Sequence, residues 1–413
     1  MDDQVFTGID IGNTKICTLV AREESPGQVR ILGVGIEPSQ GLRRGVVVDL
    51  EAAAQAVARS VDKAERTSGI EVLSALVSLA GSNVSSENSQ GVVGVSGKVI
   101  DQDDVARAVD AARAVAIPHN REIVHVIQRG FNVDGQDSIR TPIGLHGYRL
   151  EVETHIITAT AASIENLRQC LAAAGIEAAQ FVLNPLASAM VVLTDMERQM
   201  GVVVCDIGGG TTDIGIFVDG DIWYTAVLTI GGNMITSDIA QVLHLPNSQA
   251  EEIKLQHGHA NPQEIDPRQY FNVHPFGDQD VVQVSHQELV QIIHARVEEI
   301  FALVVQEIKR SGYDGLLPAG MVLTGGTSAL PGIRSVASRV LGVPVRIAKP
   351  ESLIGMTDRL DSPAFSTSVG LLRWGMLMSE ALPQIGKPPS RGRTQRYILD
   401  WENIKNWAKR FLP

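Results

Sequence analysis

Cysteine is scarce in this chain of 413 residues: only Cys17, Cys170 and Cys205 occur, and none belongs to a CxxC pair. This excludes a disulfide framework and a thiolate metal site, and it favours a reducing compartment. Aromatic residues make up 4% and charged residues 20%, whereas 44% are hydrophobic and 39 are glycine. Such a balance is typical of a folded α/β protein with many tight turns. At roughly 150 residues per domain, the length predicts two to three globular units.

Positive charge is also in deficit, with 35 Lys and Arg against 47 Asp and Glu and a net charge of -12. We therefore expect no broad nucleic-acid-binding surface. The acidic start does not resemble a signal peptide, and no apolar run approaches the roughly 18 residues of a transmembrane helix. These absences predict a cytoplasmic protein. The charge is uneven, because residues 384–413 carry a net +5 and residues 1–383 carry -17, so the C-terminal end is predicted to have a separate role.

Two segments have the pattern of a β-hairpin. Residues 5–20 place β-rich arms on either side of Gly12, and residues 201–218 place them around a run of three glycines. Both enter the turn through Asp-Ile-Gly, at Asp10 and at Asp206, which stand 196 residues apart. This spacing predicts two related domains that each begin with such a hairpin, the alternative being two ordinary hairpin turns.

Helices and strands alternate over the rest of the chain, as in α/β proteins. Helical periodicity covers residues 51–68, 101–116, 163–174 and 289–310, and apolar strands cover 76–79, 123–127 and 148–158. Residues 243–287 are rich in Pro, His, Gln and Asn and predict loops and short helices. Residues 85–161 are predicted to form a small inserted subdomain, or else to continue the first sheet.

The two glycine turns suit a phosphate chain, because glycines allow several backbone N–H groups to point at one anion. A carboxylate just before such a turn would repel the anion unless a cation lies between them. Asp10 and Asp206 are therefore predicted to hold a hydrated Mg²⁺, which binds one or two carboxylates together with phosphate oxygens. The candidate phosphate-binding residues are Gly12, Asn13, Thr14 and Lys15 in the first turn and Gly208, Gly209, Gly210, Thr211 and Thr212 in the second.

A third glycine cluster follows an apolar stretch within residues 320–331. Its candidate residues Gly325, Gly326 and Thr327 precede a predicted helix at 333–341, where the backbone would approach a base or a phosphate. Further candidates for the same cleft are Gly232, Asn233, Glu251 and Lys254, the last two being one helical turn apart. Taken singly, each is also consistent with a loop or a solvated helix face.

Other nucleotide-binding and catalytic motifs are missing. No GxxxxGK[ST], HExxH or GxSxG occurs in the sequence. Residues 208–213 spell GxGxxD and lead into a strand, whereas a dinucleotide fingerprint opens a helix. The paired hairpins are therefore favoured over a P-loop, a dinucleotide fold, a zinc protease or a serine hydrolase.

The three glycine loops resemble those of a known fold. DIGNTK from Asp10, DIGGGTTD from Asp206 and LTGGTSALPG from Leu323 are similar to the two phosphate loops and the adenosine loop of actin, sugar kinases and heat-shock chaperones. Within that superfamily, the segments GLHGYRLEVETHIITA, GGNMITSDIA and AEEIKLQHG and the basic C-terminal helix resemble the bacterial FtsA family of cell-division proteins. The resemblance covers essentially the whole chain.

This resemblance implies an α/β, actin-like two-domain fold with ATP and Mg²⁺ in a central cleft and an FtsA-type inserted subdomain. It also implies a division protein that binds the C-terminal tail of the tubulin-like FtsZ, polymerises with itself and recruits other division proteins at the septum, on the cytoplasmic side of the inner membrane. The implied units are 1–84 with 162–200 (first domain), 85–161 (inserted subdomain), 201–233 with 306–382 (second domain), 234–305 (its lobe, which would bind the FtsZ tail), 383–396 (basic linker) and 397–413 (amphipathic helix).

One departure from the superfamily concerns Asn184, which precedes Pro185 where chaperones and MreB-like actins have Glu-Pro. An amide cannot act as a general base toward water. We therefore expect firm ATP binding with at most weak ATPase activity. The alternatives are a small-molecule kinase or phosphatase of the same superfamily and an actin homologue that scaffolds cell shape or a pilus machine. No further acid near the cleft suggests a kinase base.

The last residues have the pattern of an amphipathic helix behind a basic linker. Residues 383–396 contain three Pro, two Gly and four basic residues without an acidic one. The apolar side chains that follow share an arc of about 140° at 100° per residue, and the segment, at ~20 Å, is too short to cross a bilayer. This predicts a helix lying on anionic lipid, the alternative being a helix docked on the protein itself. The candidate membrane residues are Trp401, Ile404, Trp407, Phe411 and Leu412 on the apolar face and Lys405, Lys409 and Arg410 on the polar face.

Overall fold

The computed structural model describes residues 4–381 except 26–27, 98, 115–116 and 277–280. The predicted linker at 383–396 and the predicted membrane helix at 397–413, with every candidate membrane residue, lie outside the described residues. The described part is an α/β structure in which two larger sheets carry the site and a third forms an insertion.

The first sheet is assembled from both ends of the described chain. Its strands are β1 (Val5–Ile11), β2 (Lys15–Ser25), β3 (Gln28–Pro38), β6 (Ser74–Leu79), β11 (Glu177–Leu183) and β19 (Leu353–Gly355), and they lie in the order β11-β6-β1-β2-β3-β19. A separate small ribbon pairs β4 (Leu42–Arg43) with β5 (Val46–Val47). The inner residues of β1 and β2, 8–11 and 16–21, are buried whichever face they are on, because helices cover the sheet.

The second sheet repeats the arrangement of the first. Its strands are β12 (Val202–Ile207), β13 (Thr212–Val218), β14 (Asp221–Leu228), β17 (Met321–Thr324) and β18 (Val345–Ile347), in the order β14-β13-β12-β17-β18. In each sheet the hairpin strands are antiparallel and two parallel strands follow on the other side. The hairpin registers also match, since Asp10 pairs with Cys17 and Asp206 pairs with Asp213. Both predicted hairpins are therefore present.

Helices cover these sheets and pack on them through their apolar stripes. The helices are α1 (Leu50–Ser68), α3 (Ala161–Ala173), α4 (Asn184–Val192), α5 (Asp195–Met200), α6 (Gly232–Val242), α7 (Asn247–His257), α8 (His286–Ser311), α9 (Ile333–Leu341) and α10 (Ser366–Ala381). α1 begins where the Asp49 side chain accepts the Ala52 N–H and ends at Gly69, which has a φ of 70°. α8 begins at the Ser285 cap and ends at Gly312, with a φ of 77°. Such caps fix the ends of helices whose packing is decided by the apolar stripe.

Residues 84–160 form a sheet of their own and do not continue the first sheet. The elements are β7 (Val84–Gly94), α2 (Gln102–Arg113), β8 (Arg121–Val133), β9 (Gln136–Ile139) and β10 (Arg149–Thr160), and the antiparallel order is β7-β10-β8-β9. α2 begins with a capping box formed by Asp101 and Asp104. Its apolar face joins a separate hydrophobic core with Phe131, Leu150 and Ile156. The insertion thus forms a layer with its own sheet, placed in the chain between β6 and α3.

α10 corrects the assignment of residues 306–382 to the second domain alone. Val369, Leu372 and Met376 pack with the first sheet, whereas Leu371 and Trp374 join a core that α4 and the second sheet share. β19 likewise pairs with β3. The reason is the composition of α10, whose apolar side chains surround the helix and therefore need cover on both sides.

The stretch 243–287 is more regular than the sequence predicts. It contains α7, of 11 residues, and a hairpin of β15 (Tyr270–Val273) and β16 (Val282–Ser285). Four-residue arms are too short to show alternation against a polar background. The predicted helix at 289–310 is present as α8, and the predicted helix at 333–341 is present as α9.

Candidate nucleotide-binding site

The two predicted glycine turns have the same local geometry. The N–H of Gly12 donates to the carbonyl of Lys15 at 3.0 Å, and the N–H of Gly208 donates to the carbonyl of Thr211 at 2.9 Å. Each hydrogen bond closes a four-residue turn that begins two residues after an aspartate. The chain therefore presents two equivalent turns from the two equivalent sheets.

The tips of the turns meet at one place. A Cβ atom at Gly210 would overlap the Asn13 amide, and one at Gly209 would overlap the Thr14 hydroxyl. Asn13 is itself held, because its Oδ1 accepts the Gly45 N–H at 2.7 Å. The backbone N–H groups of Asn13, Thr14, Gly209 and Gly210 make no hydrogen bond with any described residue. Four N–H donors that bond to no described residue, on two turns whose tips meet, are suited to bind an anion.

The carboxylates of Asp10 and Asp206 converge on the first turn of α10. Ser368 donates its hydroxyl to Asp10 Oδ2 at 2.7 Å, and Thr367 donates to Asp206 Oδ2 at 2.8 Å. Both aspartates are buried. Residues from two hairpins 196 positions apart are thus bound by neighbouring residues of one helix.

The third glycine cluster lies against the second turn and the start of α6. Thr327 donates its hydroxyl to the Gly208 carbonyl at 2.9 Å, and a Cβ at Gly232 would overlap that hydroxyl. The Asn233 N–H donates to the Gly209 carbonyl at 2.8 Å. Gly325, with a φ of 85°, packs against the Asp206 carboxylate, where a side chain would not fit. Gly326 follows in a short 3₁₀ turn.

Glu251 and Lys254 also reach this group of loops. Lys254 Nζ donates to the Glu251 carboxylate at 2.6 Å, to the Thr236 hydroxyl at 2.8 Å and to the Gly232 carbonyl at 3.3 Å. The Thr236 hydroxyl also bonds to Glu251. The structure therefore brings all of the sequence-predicted loop candidates into one neighbourhood.

In the first turn, Lys15 extends toward the start of α10 and donates to the Ala364 carbonyl at 2.5 Å.

Two acids in this neighbourhood, Asp206 and Asp213, have raised pKa values. Burial raises the pKa of Asp206 to about 6, opposed by the Thr367 hydrogen bond and supported by the charge of Asp10. Burial and then the charge of Asp206 raise the pKa of Asp213 well above its usual range, while Thr211 and Asn184 act in the opposite direction. Buried acids whose pKa values are raised by burial and by a neighbouring carboxylate mark a place where a bound cation is favourable.

Two orphaned oxygens support the same interpretation. Asn184 Oδ1 and Asp213 Oδ1 are buried and have no hydrogen-bond partner among the described residues. Buried polar atoms of native proteins normally find a partner, which includes water. Within the described ranges, no group of three or more His, Cys, Asp or Glu side chains is placed to hold a metal ion. One or two carboxylates suffice for hydrated Mg²⁺, so the residues present fit that ion.

Thr367, Ser368 and Asp213 are site residues that the sequence analysis missed. A signal was available in SPAFSTS, residues 362–368, where four hydroxyl residues precede an apolar helix. Such a run indicates a capped helix start. Nothing in the sequence, however, says that the hydroxyls face two carboxylates contributed by distant strands.

Two sheets of similar topology, whose Asp-Ile-Gly turns meet at their tips, define a protein of the actin-like class. Solved structures agree on the fold. A PilM-PilN type IV pilus biogenesis complex matches with a TM-score of 0.64 and 18% identity, covering 90% of this chain and 98% of that one. MreB5 of Spiroplasma citri bound to ADP matches with a TM-score of 0.59 and 14% identity, covering 93% and 100%.

Sequence comparisons define the family within this class. The family model described as cell division protein FtsA matches residues 203–370, and the model described as the SHS2 domain inserted in FTSA matches residues 81–158. The cell division protein FtsA of Pseudomonas aeruginosa is 39% identical over 409 residues, covering 98% of both chains. FtsA of Escherichia coli is 35% identical, covering 91% of both. The chain belongs to the FtsA family of cell division proteins, as its motifs predict.

Proposed function

We propose that this chain is an ATP-binding, actin-like division protein that tethers filaments of FtsZ to the inner face of the cytoplasmic membrane and helps to recruit later division proteins at the septum. The observation that carries the proposal is that two Asp-Ile-Gly turns meet at their tips, where four of their N–H groups bond to no described residue. A site of this kind fits a phosphate chain and hydrated Mg²⁺. The bound ADP of the Spiroplasma citri relative supports a nucleotide in the corresponding fold.

In this proposal each part of the site has its own role. The N–H groups of Asn13, Thr14, Gly209 and Gly210 bind phosphate oxygens, and Asp10 with Asp206 holds the hydrated cation. The loops around Gly232 and Gly325, with Glu251 and Lys254, bind the nucleoside. Mg²⁺ when bound would neutralise the phosphate charge. Because Asn184 offers no base for water, hydrolysis is expected to be slow.

Nucleotide binding is tested by calorimetric titration of the full chain with ATP and Mg²⁺. Asp10→Asn and Asp206→Asn keep the size of each side chain but remove a charge, so both are expected to lose most of the Mg²⁺-dependent affinity. Asp219→Asn, at an exposed position in the turn between β13 and β14, is the matched control and should bind like the wild type. If the wild type binds no ATP in the presence of Mg²⁺, the proposal is wrong.

Membrane attachment rests on the sequence pattern of residues 397–413, with apolar and basic residues on opposite faces of a helix. One such helix binds marginally, so a polymer that carries many of them would attach firmly while a monomer would not. We expect the full chain to float with vesicles that contain phosphatidylglycerol, and more completely with ATP. Trp407→Glu should abolish flotation, whereas Asn406→Glu adds the same charge on the polar face and should weaken it only slightly. Equal flotation of the two variants would contradict the proposal.

Binding to the FtsZ tail is the step that separates this function from a kinase or phosphatase of the same superfamily. We assign it to residues 234–305, the lobe formed by α6, α7, the β15–β16 hairpin and most of α8. A synthetic peptide of the FtsZ C-terminal tail, immobilised on beads, should retain the full chain, and a scrambled peptide should not. Retention by both peptides, or by neither, would show that the chain does not bind the FtsZ tail specifically.

Among the described residues, no helix has the length and apolar character needed to span a bilayer.

A further inference from the structure

Residues 362–368 contact the first turn, the third glycine cluster and both aspartates of the candidate site. The Ala364 carbonyl accepts from Lys15 in the first turn, and the Pro363 carbonyl accepts the Gly325 N–H at 3.1 Å in the third glycine cluster. The Ser366 and Thr324 hydroxyl oxygens lie 2.6 Å apart, which ties the helix start to β17. Thr367 and Ser368 then bind the two aspartates.

We propose that Thr367 and Ser368 are a positioning pair, which fixes the orientation of the Asp206 and Asp10 carboxylates, the two groups that would hold a hydrated Mg²⁺. This inference rests on the proposed nucleotide function and names residues to which the sequence motifs assign no role. Neither hydroxyl needs to touch the cation. Each acts through the carboxylate to which it donates.

The geometry explains why hydroxyl groups are needed at both positions. Each hydroxyl donates a hydrogen bond to the Oδ2 atom of its aspartate. One oxygen of each carboxylate is therefore fixed, and the rotation of the carboxylate is restricted. Both acids are buried, and a buried carboxylate oxygen without a donor is costly. The bonds also come from the first turn of a helix of 16 residues, where the positive end of the helix dipole favours negative charge.

Adjacent positions on one helix also fix the distance between the two carboxylates. Asp10 ends a strand of the first sheet and Asp206 ends a strand of the second, so any shift of one sheet against the other would separate them. α10 packs on both sheets, and its first turn therefore sets their spacing at the cleft. Loss of either hydroxyl would remove the donor that restrains one acid while the other acid keeps its own.

The test compares Thr367→Val and Ser368→Ala with Ser366→Ala. All three variants remove a hydroxyl from a buried position of the same helix turn, but Ser366 bonds to Thr324 and not to an aspartate. The readout is the ratio of ATP affinity in Mg²⁺ to ATP affinity in EDTA, measured with a fluorescent ATP analogue on the full chain. We expect Thr367→Val and Ser368→Ala to lower this ratio by roughly tenfold or more, since each loses a hydrogen bond to a charged group. Ser366→Ala should keep the wild-type ratio.

Conservative variants and stability measurements separate positioning from a merely structural role. Thr367→Ser and Ser368→Thr retain a hydroxyl and should restore the ratio. If all three deletions lower the melting temperature alike and leave the ratio unchanged, the pair only supports the helix and the inference is wrong. If the wild type binds ATP equally in Mg²⁺ and in EDTA, Mg²⁺ does not act at this site and the inference is also wrong. If the wild type binds no nucleotide at all, it is the proposed function that fails.

Discussion

Gly370 of α10 lies directly against the backbone carbonyl of Ala187 in α4, so close that a Cβ atom at position 370 would overlap that oxygen. The two helices cross at this point, between the two sheets that form the candidate site. The first turn of α10, with Thr367 and Ser368, lies within one turn of the crossing. The close approach of α10 and α4 therefore sets the positions of the Thr367 and Ser368 hydroxyls.

We predict that Gly370→Ala is destabilising. Overpacking against a backbone atom that cannot rotate away costs ~3 kcal/mol or more, and the better helix propensity of Ala returns only about 1 kcal/mol. Gly375→Ala on the same helix is the control. Its Cβ would lie 2.6 Å from Leu76 Cδ1, at the end of a flexible side chain, so we expect a change within about 1 kcal/mol. Urea unfolding of the full chain measures both, and equal midpoints for the two variants would disprove the close crossing.

Gly210→Ala should weaken nucleotide binding more than it weakens the fold. The added Cβ would overlap the Asn13 amide, and Asn13 cannot yield easily because its other amide atom holds the Gly45 N–H. The two turn tips would have to separate, and we expect ATP affinity to fall by about tenfold or more through loss of a charge-assisted hydrogen bond. Gly94→Ala is the control, since its Cβ would meet nothing within 4 Å. An unchanged ATP affinity in Gly210→Ala would show that the turns do not share one ligand.

His155 links the inserted subdomain to the second sheet in a way that should make stability depend on pH. Its Nδ1 lies 2.7 Å from Asn88 Oδ1, which can only accept, so Nδ1 carries the proton. Its Nε2, 3.0 Å from the Thr225 hydroxyl on β14, then accepts. Burial, helped by the charge of Arg129, lowers the pKa of His155 from 6.5 to about 3. A protonated imidazole would lose the acceptor that Thr225 needs.

The direction in which stability changes with pH follows from proton uptake by His155. The unfolded chain binds a proton at this histidine below about pH 6.5, whereas the folded chain does so only near pH 3, so stability is lost as the pH falls between these values. Between pH 7 and pH 5, His155 alone lowers the free energy of unfolding by about 2 kcal/mol. The buried His125, whose pKa burial also lowers to about 3, adds a similar loss. Between pH 7 and pH 5, we expect His155→Gln to lose about 2 kcal/mol less stability than the wild type loses, because the contribution of this histidine is removed. His146→Gln, at an exposed position of the same subdomain, should lose as much stability as the wild type. Urea midpoints at pH 7, 6 and 5 measure the three proteins.

The sequence predicts the parts of this site that are local and misses the part that is not. Asp10 and Asp206 are found because strand, glycine turn and strand follow one another within a few residues. Lys254 and Glu251 are found because one helical turn separates them. Ser368 reaches Asp10 across 358 positions, and no local pattern carries a contact of that range.

The same reasoning explains the errors in the fold. α10 follows strands of the second sheet in the chain, so its sequence position suggests the second domain alone. Its assignment depends on where its several apolar faces are buried, and those faces meet Leu19 and Ile31 of the first sheet as well as Val204 of the second. The hairpin of β15 and β16 is missed for a different reason, because four-residue arms do not reveal a period.

The last prediction concerns Asn184, which begins α4 with its Oδ1 buried and without a partner among the described residues. An acid at this position would lie beside Asp213, whose pKa burial already raises, and its own pKa would be raised in turn toward the range of a useful base. We expect wild-type ATP turnover to be slow and Asn184→Asp to raise it by about tenfold or more, because general bases contribute on the order of 10² or more. ATP affinity should change little. Asn184→Ala, which removes the amide without adding an acid, should not accelerate turnover. Phosphate release under saturating ATP and Mg²⁺ measures all three proteins. A wild-type turnover of several per second, or the same slow rate in Asn184→Asp with ATP fully bound, would show that the amide is not what limits hydrolysis.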